Sequence, residues 1–192
     1  RSALVAILCS ETRSNTLNIL ITYASTEGQT RKVARYCADY LNGQGHSVEL
    51  VGAQDAYDAE LARVDAVLLA GSLLGGKYQK ALVALATAKA ATLTQARAAF
   101  LSVSLTAAGD DADEWAGLAV CVSRFALKTG WTPPTVTHVA GAFRFSEYDF
   151  FKSWAMRWIA SQKGEEITPH EDKEFTDWAA LKKTLDVWLA GT

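Results

Sequence analysis

The stretch Asn18-Ile-Leu-Ile-Thr-Tyr-Ala-Ser-Thr-Glu-Gly-Gln-Thr-Arg-Lys-Val-Ala34 decides the fold. Its opening, Asn18 to Tyr23, is a short apolar run that ends at a polar turn, the pattern of a buried strand. From Thr30 to Leu41 the apolar residues change period. Val33, Ala34, Cys37, Tyr40 and Leu41 recur at helical spacing, and Asn42-Gly43-Gln44-Gly45 stops the helix. The unit is therefore strand, polar turn, helix.

Working outward, the same unit recurs. Ser47 to Val51 alternates like a short strand, and Val64 to Ala70 is nearly continuous apolar sequence, as expected of a strand covered on both faces. Ala81 to Ala91 reads as a helix, Ala98 to Leu105 as a strand, and Glu114 to Thr129 as a helix. Thr135 to Ala142 is a fifth strand, introduced by Pro133-Pro134, and a last helix runs from about Thr176, its expected cap, to about Ala190. Five strands separated by helices predict an α/β domain with a doubly wound parallel sheet, order 2-1-3-4-5. Such sheets bind ligands at the carboxyl ends of their strands, which singles out the loops after Tyr23, Ala70 and Ser104.

Composition bounds the function. The chain has 192 residues, 49% of them hydrophobic and 21% charged, which suits one ordered domain with a full core. Nineteen Lys and Arg against 21 Asp and Glu leave a net charge of -2, so no global basic field points to nucleic acid. Cys9, Cys37 and Cys121 share no CxxC spacing, which excludes a disulfide scaffold and suits a reducing compartment. His46, which is expected to be exposed, His138 and His170 are scattered, so no metal site is expected, and without a GxSxG elbow no catalytic nucleophile is expected either. No apolar run reaches the roughly 20 residues of a membrane span. Residues 1–16 read as a cloning remnant or an extension packed on the domain surface, leaving residues 17–192 as the domain.

The first of the three loops has phosphate chemistry. In Ser25-Thr26-Glu27-Gly28-Gln29-Thr30 small residues let backbone N–H groups converge, hydroxyls add donors, and the helix start adds its dipole. No P-loop lysine follows and GxGxxG is absent, so a monophosphate with a flat head group fits better than a nucleoside triphosphate or a dinucleotide. An ordinary turn with a capping Ser or Thr is the plain alternative. Glu27 suits a phosphate neighbour only if its carboxylate turns to solvent.

These residues resemble a family. Tyr23-Ala-Ser-Thr-Glu-Gly-Gln-Thr30 is similar to the phosphate loop of flavodoxins. Arg31-Lys32-Val33-Ala34, Ala70-Gly-Ser-Leu-Leu-Gly-Gly-Lys-Tyr-Gln79, Ser102-Val-Ser-Leu-Thr106, Val139-Ala-Gly-Ala-Phe-Arg-Phe145 and Phe175-Thr-Asp-Trp178 resemble one branch, the menaquinone-dependent protoporphyrinogen IX dehydrogenases. The resemblance covers roughly Leu17 to the end and implies a flavodoxin-like fold with FMN as cofactor. It implies that Ser25, Thr26, Glu27, Gly28, Gln29 and Thr30 hold the phosphate. Ser72, Leu73, Leu74, Gly75, Gly76, Lys77 and Tyr78 would flank one side of the flavin ring, and Ser104, Leu105, Thr106 and Ala107 the other. Gly75 and Gly76 would let backbone approach the ring closely, and Leu73, Leu74, Tyr78 and Leu105 would supply faces for it. Tyr78 is equally readable as a helix-start residue packed under the sheet.

The implied activity is oxidation of a porphyrinogen with a quinone as acceptor, in the cytoplasm with peripheral contact at an inner membrane. The alternative is an electron carrier between protein partners. Two features depart from the branch. Leu74-Gly75 stands where an Arg-Tyr pair is expected, and Gly109-Asp-Asp-Ala-Asp-Glu114 is acidic where the branch is basic, a rim that would repel propionates. A helical insertion of about 146–175 precedes the last helix. Within it Phe151, Trp154, Ala155, Trp158 and Ile159 form one stripe, readable as self-packing, as a wall for an apolar substrate, or as a membrane contact through 148–163.

Overall fold

The computed structural model describes residues 16–58, 61–143 and 173–191. The proposed aromatic helix, the membrane-contact stretch 148–163, His170 and the N-terminal residues before Thr16 lie outside the described residues.

Five parallel strands form the sheet: β1 (Asn18–Ala24), β2 (Ser47–Gly52), β3 (Ala66–Leu74), β5 (Arg97–Ser104) and β6 (Val136–Ala140). Their order is β2-β1-β3-β5-β6, which is 2-1-3-4-5 when these five alone are counted. The helices are α1 (Gln29–Gly43), α2 (Lys80–Ala88), α3 (Ala90–Gln95), α4 (Ala112–Thr129) and α5 (Trp178–Ala190). Strand alternation divides the core. Ile19, Ile21, Leu68 and Leu101 pack with Val33, Cys37, Leu41, Leu181 and Leu185, the faces of α1 and α5. Leu20, Val67, Leu69 and Phe100 pack with Leu82, Leu85, Phe125 and Trp131 on the other side. Burying apolar surface at about 25 cal/mol per Å² makes these two layers the main source of stability. Cys37 lies inside the first layer, where burial pushes its thiol up to about 12, so it is a core residue rather than a reactive one.

Gly71 lies where β3 passes α2. A Cβ there would come 2.5 Å from Leu82 Cδ2 and 3.0 Å from Tyr78 Cδ1, so only glycine lets strand and helix approach this closely.

Several boundaries differ from the sequence expectations for identifiable reasons. The single helix expected over 81–91 is two, divided at Lys89. Strand β3 starts at Ala66 and runs past Ala70 to Leu74, because its end folds back through a Gly75-Gly76 turn onto β4 (Lys77–Tyr78). Helix α4 starts two residues early because Asp111 caps it. In α5 the cap is Asp177, not Thr176: its Oδ1 accepts from the N–H groups of Ala179 and Ala180, at 3.0 and 2.9 Å. The Thr176 hydroxyl donates instead to the Ala140 carbonyl at 2.7 Å. His46, expected to be exposed, is half-buried and its Nδ1 accepts from the Leu17 N–H at 3.3 Å.

At the far end of β6 the chain turns into β7 (Ala142–Phe143), which pairs antiparallel with β8 (Lys173–Glu174). The stretch 144–172 therefore leaves and returns through adjacent strands.

Candidate functional site

The three loops expected to carry ligand contacts emerge side by side, because β1, β3 and β5 are neighbours in register. Ala24 pairs with Gly71 and Ser72 with Val103.

In the first loop the Ser25 Oγ accepts from the Gly28 N–H at 2.9 Å, which folds the loop back on itself. Gly28 has φ 90°, a left-handed conformation that favours glycine, and it delivers the chain into α1. No side chain caps α1 and its first turn carries no acid, so its leading N–H groups face the loop with the positive end of the dipole behind them. Thr26 is exposed, whereas Thr30 is buried, at 1% exposure. Glu27 does not turn wholly outward: it is half-buried and one of its carboxylate oxygens is shielded from water.

The second loop is the β3–β4 hairpin, with Leu73 opposite Tyr78 and Leu74 opposite Lys77. Gly75 and Gly76, at φ 56° and 73°, form its tip, and a Cβ at Gly75 would meet nothing within 4 Å. Ser72 and Leu73 are half-buried, and Leu74, Gly75, Gly76 and Lys77 are exposed. Leu74 thus supplies an exposed apolar surface beside the glycines. Tyr78 does not provide an aromatic face for a ligand. Its ring packs edge-on against Phe100 and Phe125, both at 5.1 Å, and its hydroxyl shares a hydrogen bond with Ser102 Oγ at 2.8 Å. Burial pushes its phenol up to about 12, against the Ser102 bond, which lowers it.

The third loop leaves β5 at Ser104, whose Oγ accepts from the Ala107 N–H at 3.2 Å and so starts the short helical turn Thr106–Ala108. Leu105, Thr106 and Ala107 are half-buried. Trp115 Nε1 donates to the Gly109 carbonyl at 2.8 Å and holds the end of the loop, with its ring edge-on to His138 at 5.6 Å. Partial burial lowers the His138 pKa.

Sequence reasoning missed the cross-links between these parts. Gln79 Nε2 donates to Thr26 Oγ1 at 2.9 Å and ties the second loop to the first. Glu174 and Thr176, far along the chain, grip the first turn of α1. Gln29 Nε2 donates to Glu174 Oε1 at 2.5 Å and to Thr176 Oγ1 at 3.0 Å, and Lys32 Nζ lies 2.8 Å from Glu174 Oε2. Partial burial raises the Glu174 pKa, but the hydrogen bonds from Lys32 and Gln29 and the charge of Lys32 outweigh it and hold the carboxyl below its usual range. Trp178 packs against Tyr36 with ring centroids 4.4 Å apart and planes tilted by 47°, and the Lys32 ammonium lies 5.5 Å from the Trp178 ring. No pattern within either segment could announce a contact spanning 142 to 147 positions.

The doubly wound domain thus carries, at the carboxyl ends of its strands, a bare helix start and a glycine hairpin with exposed Leu74 beside it. Among the described residues no group of His, Cys, Asp and Glu could hold a metal ion. Residues 20–169 match the flavodoxin domain family, and the chain belongs to it. Its cofactor is FMN. The residues fit that group: uncapped N–H donors suit the dianionic phosphate, and the open left-handed glycines suit a planar ring. FMN supplies the redox chemistry when bound, and the chain positions it and tunes it through hydrogen bonds and nearby charge.

Two curated relatives carry the name protoporphyrinogen IX dehydrogenase [quinone]. The protein from Escherichia coli strain K12 is 24% identical over 84% of this chain and 89% of its own length. The one from Leishmania major is 29% identical over 85% of this chain and 71% of its own. Among solved structures, an oxidised flavodoxin 2 from Bacillus cereus superposes with a TM-score of 0.48 at 17% identity, covering 76% of this chain and 99% of that one. The fold assignment rests on the strand order and the family match.

Proposed function

We propose that this flavoprotein is a dehydrogenase that oxidises a porphyrinogen at its FMN and passes the electrons to a quinone. The observation that carries this reading is the match to two relatives of that name, from a bacterium and a protozoan, over more than four fifths of the chain. The loop placement agrees with it: a glycine hairpin with an exposed leucine leaves room beside the ring for a second flat apolar molecule. In this reading Ser25, Gly28 and the start of α1 hold the phosphate, Gly75, Gly76 and Leu74 flank the ring, and Leu105 to Ala107 close the other side. No described side chain is proposed there as an essential acid or base, and the chain's proposed contribution is positioning and exclusion of water.

The acidic segment 109–114 weighs less against an anionic porphyrinogen than its composition suggests. Asp111 is engaged as the α4 cap, accepting from the Asp113 and Glu114 N–H groups at 2.9 Å each, and those two acids sit in the favourable first turn. The deciding experiment is anaerobic turnover of protoporphyrinogen IX with a menaquinone analogue by the FMN-loaded protein. Turnover supports the proposal. Its absence, with electrons delivered to a basic protein partner instead, favours the carrier reading, for which exposed Asp110 to Glu114 would be the docking surface. Removing 148–163 is expected to spare FMN binding and lower quinone-coupled turnover.

A further inference from the structure

Lys32 stands in the first turn of α1, where a cation opposes the helix dipole unless an anion lies close. Its N–H bonds to the Gly28 carbonyl at 3.0 Å, so its backbone is one turn from the phosphate loop. Side chains on a helix lean toward its N-terminus, which brings the lysine stem toward the same end as the bare N–H groups. An anion in the first loop would draw on this ammonium and on the neighbouring Gln29 amide. Both are already engaged, and by one carboxylate. Glu174 accepts from Lys32 Nζ at 2.8 and 3.0 Å and from Gln29 Nε2 at 2.5 Å.

The carboxylate is firmly delivered. β8 is paired to β7, the Phe175 N–H bonds to the Gly141 carbonyl at 3.0 Å, and Thr176 bridges Ala140 and Gln29. From the same C-terminal segment, Trp178 presents its ring 5.5 Å from the Lys32 ammonium. The first turn of the phosphate-binding helix is thus held by a negative group from the far end of the chain.

We propose that Glu174 competes with the FMN phosphate for Lys32 and Gln29, so that it is a positioning residue that lowers affinity for the phosphate end of the cofactor. This rests on the seating of the FMN phosphate at the start of α1 and is independent of the substrate. A residue that only braced the fold would behave in the opposite way, since its loss would weaken every ligand.

The test is FMN and riboflavin binding to the full chain, followed by flavin fluorescence quenching, in wild type, Glu174→Gln, Lys32→Met and the double variant. Glu174→Gln keeps the shape and removes the charge. It is expected to tighten FMN roughly two- to fivefold, the scale of one partly exposed charge pair, with riboflavin unchanged. The gain is expected to shrink in about 1 M salt, where screening reaches ~3 Å. Lys32→Met alone is expected to weaken FMN, because it leaves the Glu174 charge without its partner, and the double variant is expected to bind FMN no more tightly than wild type, the signature of a coupled pair. Weaker or unchanged FMN binding by Glu174→Gln, or an equal change for riboflavin, overturns the proposal. A wild-type chain that takes up neither flavin overturns the seat itself and the proposal with it.

Discussion

Two helices start at the same end of the sheet and start differently. α4 begins with an aspartate whose carboxylate takes two backbone N–H groups, followed by two more acids in its first turn. α1 begins with a left-handed glycine, no side-chain cap and no acid. Both have the same dipole and the same orphan donors. At α4 the chain satisfies those donors itself, so the start is structural. At α1 no side chain does so, and in the proposed function those donors serve the FMN phosphate. The acid-rich run 109–114 is thus accounted for by helix chemistry, whereas the run 25–30, with Glu27 as its one acid, leads into a helix that no side chain caps.

The contrast can be broken most severely by giving α1 the start of α4. Gly28→Asp places a carboxylate where the phosphate belongs and forces φ 90° on a residue with a Cβ. Apposed like charges cost several kcal/mol, so FMN affinity is expected to fall by about two orders of magnitude or more in a binding titration. Gly28→Ala separates the two causes: it shares the strain without the charge and is expected to lose far less.

The converse change removes the cap from α4. Asp111→Ala is expected to lower stability by about 1 kcal/mol, with the FMN dissociation constant unchanged. For a chain of this size that corresponds to a fall in Tm of roughly 2–4 °C in a calorimetric scan. A large loss of FMN binding would show that the acids at α4 act on the flavin site and would undo the contrast.

A gentler probe uses acid. The Glu174 carboxyl is held below its usual range in the folded chain. Its contribution to stability is present above the unfolded value of about 4.3 and is lost as pH falls through the lower folded value. Glu174→Gln is expected to flatten that acid limb in melts taken from pH 6 to pH 3. The effect is a fraction of a kcal/mol, as expected of an ion pair in which the lysine side chain is 59% exposed.

The fold was legible because a parallel strand buried on both faces is a near-continuous apolar run, as in Val67-Leu-Leu-Ala70, and because polar turns separated those runs from helical periods. The site was legible at its loops and not at its links. Two residues of β4 carry no period to detect, so the return of the β3 hairpin was invisible. The direction of Tyr78 followed from that hairpin and from a partner, Ser102, on another strand. Thr176 and Asp177 are both good caps, and the choice between them fell to the Ala140 carbonyl, which claims the threonine. Glu174 reaches Lys32 only through the folded sheet.

Strands β7 and β8 pair with each other, so the stretch 144–172 begins and ends at neighbouring points. In such an arrangement the rest of the domain is indifferent to what is spliced between them. Lengthening a closed excursion twofold costs only about 0.6 kcal/mol in closure entropy. The pair therefore works as a socket. A graft between relatives at Phe143 and Lys173 is therefore expected to leave the sheet and its melting transition intact.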